Sequence, residues 1–379
     1  MTANINRQLI PQQLNKNNFD CLRFFLAAMV IYSHCFVIYH GAIIDTEPVS
    51  IFTRNQIDLG GIAVSFFFVI SGFLIVRSFE YSSSVKEYFV KRILRIVPGF
   101  FVAFLVSVFI LGALGTITSE HKFGQWKYYL HNLNYKRLAV QLFTLEEPKG
   151  ARTFATIPLP NMINEALWTI QYEFICYMVV PFLGVVAVVK RRWLSVIFFM
   201  IAYSILILQS LKYISIPDHE TWLFLKFPSE LPRFFTFFFA GSCFYFYRDN
   251  ILRSRFLVLL SIAALLFFSW WAKGLHIVLP LAGTYLLFYF AYHPHIQFHN
   301  FAHRGDFSYG LYLYGWPIQQ LIMYFLADHL GAHRLFFIAF PITFCAAFLS
   351  WNLVEKPFLK MKKHIRDLRF VKSKRAVIV

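Results

Sequence analysis

The sequence is dominated by apolar segments of membrane-spanning length, separated by polar connections. Such stretches lie near residues 19–39, 59–79, 98–117, 165–189, 193–211, 233–247, 256–272, 276–292, 307–327 and 335–353. Hydrophobic residues make up 58% of the 379 residues and charged residues 15%, against about 45–50% and about 25% in soluble domains. We therefore exclude a water-soluble fold. Since a bilayer core about 30 Å thick requires about 20 apolar residues per helix, we expect an all-α, polytopic bundle of about ten transmembrane helices, forming a single domain over residues 1–379.

The distribution of basic residues predicts the orientation in the bilayer. Cytoplasmic loops of helical membrane proteins carry an excess of Lys and Arg. With the N-terminus inside, inner segments carry 23 of the 36 basic residues, outer segments carry 12, and Arg23 lies within the first span. This asymmetry favours two cytoplasmic termini, with a basic cytoplasmic tail over 354–379 and a long periplasmic loop over 118–164. The positive charge is dispersed between apolar segments, so we expect no nucleic-acid partner.

The five cysteines lie in or beside apolar stretches, without CxxC spacing and without a pair in an outer loop. They are Cys21, Cys35, Cys176, Cys243 and Cys345. Their arrangement predicts neither a disulfide framework nor a zinc site. We expect no metal.

The first span carries two residues that are expensive to place in a membrane, Arg23 and His34. Eleven helical steps of about 100° return to the same face, so the two side chains form one stripe about 16 Å long. Asp20 precedes Arg23 by three residues and is placed to hold it. The pair suggests a catalytic imidazole with a cation on the same stripe. The alternative interpretation is a structural, hydrogen-bonded histidine.

Three basic residues, Lys91, Arg92 and Arg95, crowd the segment before Pro98. Arg92 and Arg95 are neighbours on one helix face, and planar guanidinium forks suit phosphate recognition. A phosphorylated cytoplasmic donor would explain this cluster. An ordinary cytoplasmic charge cluster is the alternative.

Three further segments place polar or small residues inside predicted spans. Glu173 lies about eight residues into its span, where a carboxylate must pair with a cation or stay protonated. Ser71 and Gly72 interrupt a bulky segment and allow either a ligand or another helix to approach the backbone closely. Tyr309 precedes a kinking Pro317, a combination that often borders a cavity.

In order along residues 20–357, these segments resemble the acyltransferase-3 family of membrane acyltransferases. The resemblance rests on Arg23 and His34 separated by ten residues, "FFFVISGFLI", the basic pair before Pro98, Trp168 with Glu173, "SYGLYL" and the terminal V-E-K-P. It implies transfer of an acyl group, usually acetyl from cytoplasmic acetyl-CoA, to sugar hydroxyls at the outer face of a bacterial inner membrane.

Carried over by position, the resemblance makes His34 and Arg23 the essential pair, gives Arg92 and Arg95 to the donor, and places Glu173 and Tyr309 along the site. We add Lys91, Ser71 and Gly72 to the predicted donor site. The chain departs from the family pattern at two positions, Thr169 in place of serine and Gly315 in place of a second histidine. We expect no appended periplasmic domain, so transfer would be completed either within the membrane unit or with a separate periplasmic partner.

The sequence therefore predicts a membrane O-acyltransferase with an acyl-CoA donor, a surface or lipid-linked glycan as acceptor, and His34 as general base. A transporter or flippase for a glycan or small anion is the alternative, since intramembrane charges also line transport paths. A non-catalytic membrane scaffold is a third interpretation. For the loop 118–164 we expect either an acceptor-binding lid or an amphipathic interfacial segment.

Overall fold

The fold is described by a computed structural model that covers residues 9–10, 14–41, 44–116, 125–149, 152–185, 192–218, 225–271, 274–326 and 330–361. Over these ranges every regular element is helical. The helices are α1 (Phe19–His40), α2 (Pro48–Phe52), α3 (Leu59–Glu80), α4 (Val85–Val106), α5 (Gln125–His131), α6 (Tyr135–Thr144), α7 (Trp168–Val185), α8 (Trp193–Ser210), α9 (Leu231–Phe246), α10 (Arg255–Trp270), α11 (Leu275–Val278), α12 (Thr284–Ala291), α13 (Ser308–Leu326) and α14 (Ala332–Ser350).

Wide π-type turns lengthen several of these helices. Ser107–Gly112 continues α4, Leu279–Gly283 joins α11 to α12, and Trp351–Glu355 continues α14. Such turns often occur near functional sites because they redirect the side chains that follow. The last of them leads into a helix that extends to Met361, past residue 353, where the sequence predicted the end of the last span.

Several helices are long and apolar enough to cross a membrane. Among the described residues there are five, namely Phe19–His40, Leu59–Glu80, Val85–Gly112, Trp193–Ser210 and Ala332–Met361. Each apolar segment predicted from the sequence overlaps a described helix. Large apolar side chains such as Phe182, Phe337 and Leu353 are exposed, as expected for surfaces that face lipid rather than water.

The helix α4 begins much earlier than the apolar pattern predicted, at residue 85 instead of near 98. Ser84 caps it, since its Oγ accepts a hydrogen bond from the Glu87 amide at 3.2 Å, and Glu87 in turn accepts from the Ser83 amide at 2.9 Å. This exchange resembles a capping box, which satisfies amides that a helix start leaves unpaired. As a result, the basic residues and Pro98 lie inside one continuous helix.

The centre of the bundle is built from α1, α3 and α13, with α9 packed on α3 and α14 packed on α13. The α3–α9 contact is very close. A methyl group added at Gly72 would lie 1.8 Å from the Phe238 carbonyl oxygen, and one at Gly241 would lie 1.9 Å from the Val69 oxygen. Small residues at such crossings let two backbones approach.

Gly72→Ala is therefore expected to destabilise the bundle, because the added methyl group meets backbone that cannot move aside. Overpacking of this kind typically costs about 1–3 kcal/mol. The melting temperature of detergent-purified protein measures the effect. Gly331→Ala is the matched control, since no atom of the described residues lies within 4 Å of the added methyl group there. A Gly72→Ala protein that melts like the parent but binds no coenzyme A would instead support the donor-site role.

Candidate active site

Most of the predicted site residues line one cavity of about 120 Å³ between α1, α3, α4, α7 and α13. It lies toward the end of α1 that carries Arg23, here called the Arg23 end; the opposite end is called the His34 end. The predicted residues that line the cavity are Arg23, Ser71, Arg92, Arg95, Glu173 and Tyr309. Residues far apart in sequence are thus brought together by the packing of five helices.

An aspartate that sequence reasoning missed organises the cations of this cavity. Asp306 Oδ2 accepts from Arg23 Nη1 at 2.7 Å and from Arg95 Nη2 at 2.5 Å. Its other oxygen accepts from the Ser308 hydroxyl at 2.5 Å, at the start of α13. Arg23 also lies 3.9 Å from Asp20, a more distant contact than the one to Asp306. Asp306 is therefore the main partner of Arg23.

Arg95 has a second acidic partner at the far end of the chain. Its Nη1 lies 3.7 Å from Glu355 Oε2, and Glu355 is buried on the wide turn after α14. The guanidinium also stands over the Tyr309 ring at 5.7 Å. In the sequence, Glu355 was part of the V-E-K-P segment that supports the family resemblance, with no partner assigned to it. The structure instead makes it a partner in the ion network.

Arg92 is less fully satisfied than Arg95. Its Nη2 donates to Ser78 Oγ at 3.2 Å, while its buried Nε has no hydrogen-bond partner among the described residues. The guanidinium lies 5.9 Å from the centre of the Tyr177 ring. Within the described part of the chain Arg92 forms no ion pair, so it retains capacity for an anion.

The carboxylate of Glu173 is held by hydroxyl groups rather than by a cation. Ser71 Oγ donates to Glu173 Oε1 at 3.0 Å, and the Tyr177 hydroxyl donates to the same oxygen. Tyr309 donates to the Ile96 carbonyl oxygen at 2.9 Å. Ile96 lies two residues before Pro98 in α4. Glu173 and Tyr309 thus line the cavity with polar groups that are held in place by hydrogen bonds.

Three predicted residues do not line the cavity. Lys91 lies 2.8 Å from Glu87 and donates to Ser82. Gly72 packs against the backbone of α9 at Phe238. His34 lies at the opposite end of α1, where its ring meets Trp316 edge-on with centroids 4.9 Å apart.

The surroundings of His34 are polar on one side. The neighbouring Ser33 donates to Asp58 Oδ2 at 2.8 Å, and Asp58 caps α3 by accepting from the Gly61 amide at 2.9 Å. Asp58 lies within electrostatic reach of His34. The imidazole makes no hydrogen bond to any residue that the structure describes, so no described residue occupies its lone pair.

The second half of the long loop folds back onto this end of the bundle. Trp316 Nε1 donates to the Met162 carbonyl oxygen at 3.3 Å, and Gln320 Nε2 donates to the same oxygen at 2.9 Å. Asn164 donates to the Leu313 carbonyl oxygen at 2.9 Å. The loop is therefore in contact with the tryptophan that touches His34.

The first half of the loop has the character of an interfacial segment. Several aromatic side chains of α5 and α6 are exposed, among them Tyr128 and Phe143, whereas Tyr129 of α5 is buried. Residues 117–124 and 150–151 lie outside the described residues. Both alternatives that the sequence suggested for the loop stay predictions.

An ion cluster links the loop to the segment before α9. Lys226 pairs with Glu165 and lies 2.9 Å from Glu147, while Lys149 lies 3.3 Å from Glu147. Burial alone would lower the pKa of Lys226, but the carboxylates of Glu165 and Glu147 outweigh that effect and raise the pKa. Lys226 therefore stays charged and holds the two carboxylates together.

Lys226→Met is expected to loosen the loop, because it leaves the buried Glu147 beside Glu165 without their shared cation. Breaking a buried ion pair by removing one partner costs about 3–5 kcal/mol. Limited proteolysis of the 125–164 segment should become faster. The double variant Lys226→Met/Glu165→Gln removes the carboxylate left without a cation, since Glu147 keeps Lys149, and should recover much of the resistance. Equal proteolysis rates for parent and single variant would contradict this.

The chain can now be compared with known proteins. A family model described as an acyltransferase domain matches residues 16–352. The chain belongs to the acyltransferase-3 family. It is 28% identical to an O-acetyl transferase of Shigella phage Sf6, over 91% of this chain and 97% of that protein. It is 27% identical to nodulation protein 10 of Rhizobium leguminosarum bv. viciae, over 92% of this chain and 94% of that protein. No solved structure matches.

Family membership and the apolar helices together make the chain an acyltransferase enzyme of membrane character. The acyltransferase that the sequence predicted is confirmed at this level. The roles of individual residues stay predictions, and they are developed below.

Proposed function

We propose that the chain transfers an acyl group, usually acetyl, from cytoplasmic acyl-CoA to a hydroxyl of a surface or lipid-linked glycan, with His34 as general base. The observation that carries this proposal is the cavity at the Arg23 end, which gathers three arginines and a carboxylate inside the bundle. Buried cations of this kind suit the phosphates of coenzyme A. The related phage protein is named for O-acetyl transfer.

The proposed chemistry needs a base and stabilisation of an oxyanion. Transfer from a thioester to an alcohol requires removal of the hydroxyl proton and donors for the tetrahedral intermediate. The unbonded imidazole of His34 is available to accept that proton. Asp58, held near it by Ser33, would favour the imidazolium that forms.

The two halves of the proposed reaction lie along α1. Arg23 and His34 are separated by about 16 Å of helix, so a donor held at the cavity must extend its pantetheine arm along this stripe. Two cytoplasmic termini and about ten crossings of a bacterial inner membrane would put the cavity inside and His34 near the periplasmic face. The docked loop beside Trp316 would then contribute to the choice of acceptor.

His34→Gln is expected to abolish acyl transfer, because glutamine keeps a polar group of similar reach but accepts no proton at neutral pH. A loss of about a hundredfold or more is typical when a general base is removed. The O-acetyl content of surface polysaccharide from expressing cells measures transfer, and coenzyme A binding to purified protein should be unchanged.

His333→Gln is the matched control for this experiment. His333 lies at the same end of the bundle but packs against Tyr32 on another face of α1, at 3.1 Å from its hydroxyl. It should leave transfer intact. Near-parental transfer by the His34→Gln protein would show that His34 is structural and that the base lies elsewhere.

The proposed orientation predicts which surface positions a membrane-impermeant thiol reagent reaches. Lys136→Cys on the exposed face of α6 should be labelled in intact spheroplasts, since the loop is expected outside. Arg304→Cys, exposed at the Arg23 end, should be labelled only after permeabilisation. The parent chain corrects for its native cysteines. The reversed pattern would contradict the orientation.

A further inference from the structure

The three arginines of the cavity differ in how far the protein itself neutralises them. Arg23 and Arg95 share Asp306, and Arg95 also has Glu355. With Asp20 at 3.9 Å from Arg23, these two guanidinium groups face three carboxylates and are compensated within the protein. Arg92 has a serine hydroxyl and an aromatic ring instead.

Arg92 also differs from Arg23 and Arg95 in having an unused hydrogen-bond donor. Its buried Nε has no partner among the described residues, and a buried donor without a partner is costly to maintain. A ligand that accepts from this nitrogen would remove the cost. The remaining carboxylate of the cavity, Glu173, is bonded to Ser71 and Tyr177.

We infer that Arg92, rather than Arg95, is the principal phosphate ligand of the cavity, and that Asp306 is the positioning residue that withholds Arg23 and Arg95 from phosphate. The inference rests on the proposed function, because it takes the donor to be a coenzyme A thioester. The spacing of Arg92 and Arg95 alone would assign phosphate binding to both residues.

Asp306 has the geometry for this positioning role. One of its oxygens accepts from the two guanidinium groups, and the other accepts from Ser308 at the start of α13. The carboxylate is therefore fixed at a helix start, where negative charge is favoured. A phosphate that reached Arg95 would have to displace a contact of 2.5 Å.

Coenzyme A binding to the purified full chain in nanodiscs tests the first half of the inference by titration calorimetry. Arg92→Ala should weaken binding about tenfold or more, as expected for a lost charge-assisted contact. Arg92→Lys, which keeps the charge, should recover part of the affinity. Arg95→Ala should weaken binding less than Arg92→Ala. An Arg95→Ala protein that loses as much affinity as Arg92→Ala would overturn the assignment.

Asp306→Asn tests the second half. Removing this charge should tighten coenzyme A binding severalfold, because Arg23 and Arg95 become available to phosphate. In turnover, both KM for acetyl-CoA and kcat should fall, since Arg23 and Arg95 are no longer held in place. A general loss of fold would not tighten binding. Unchanged or weaker binding by a correctly folded Asp306→Asn protein would overturn this role.

Two further variants complete the design. Asp306→Glu keeps the carboxylate and should return binding toward the parent value. Glu87→Gln frees Lys91, a cation of the same helix that lies outside the cavity, and should leave binding unchanged. Equal tightening by Glu87→Gln would show that any added positive charge suffices, and would overturn the specific role of Asp306.

Failure of this inference and failure of the proposed function give different results. If the parent protein binds no coenzyme A, the proposed donor is wrong and the inference falls with it. If the parent binds coenzyme A but the variants rank otherwise, the donor stands and the assignment of Arg92 and Asp306 is wrong. Should Asp306→Asn fail to fold, the comparison of Arg92→Ala with Arg95→Ala still decides the principal ligand.

Discussion

The bundle depends on one carboxylate that compensates two cations at the Arg23 end. Charges removed from water are expensive, and a buried ion pair is tolerable only when geometry and hydrogen bonds compensate the loss of hydration. Asp306 meets this condition for Arg23 on α1 and Arg95 on α4. Glu355 adds the extension of α14 to the same network. Four parts of the chain, separate in sequence, are thus held around the cavity by charge as well as by apolar packing.

Much of the architecture could be predicted because its cause is local in the sequence. Apolar runs mark the helices, and the eleven-residue spacing places Arg23 and His34 on one stripe. The cavity itself could be predicted only in part. Asp306 precedes α13 in a connection where an acidic residue is unremarkable, and its two partners lie on other helices. The available signal was Arg23 inside the first predicted span, a buried cation for which Asp20 was the only partner that the sequence suggested.

Other differences have equally specific causes. The start of α4 depends on the cap formed by Ser84 and Glu87. Both residues are polar, so a search for apolar segments does not detect this helix start. The predicted donor role of Gly72 rested on its small size, and small residues serve close helix contacts as readily as ligands. Whether a glycine faces α9 or the cavity depends on the rotation of α3, which sequence spacing alone does not determine.

The pairing of α1 with α13 sets the distance between the cavity and His34. Asp306, just before α13, holds Arg23 at one end, and Trp316 contacts His34 near the other. Three residues after Trp316, Gln319 Nε2 donates to the Ile31 carbonyl oxygen at 2.6 Å and fixes the register of the two helices. Because a helix is stiff along its axis, the cation and the imidazole cannot approach each other. A reaction that involves both ends therefore requires a substrate long enough to reach from the cavity to His34. A long, flexible thioester arm meets that requirement better than a compact anion does.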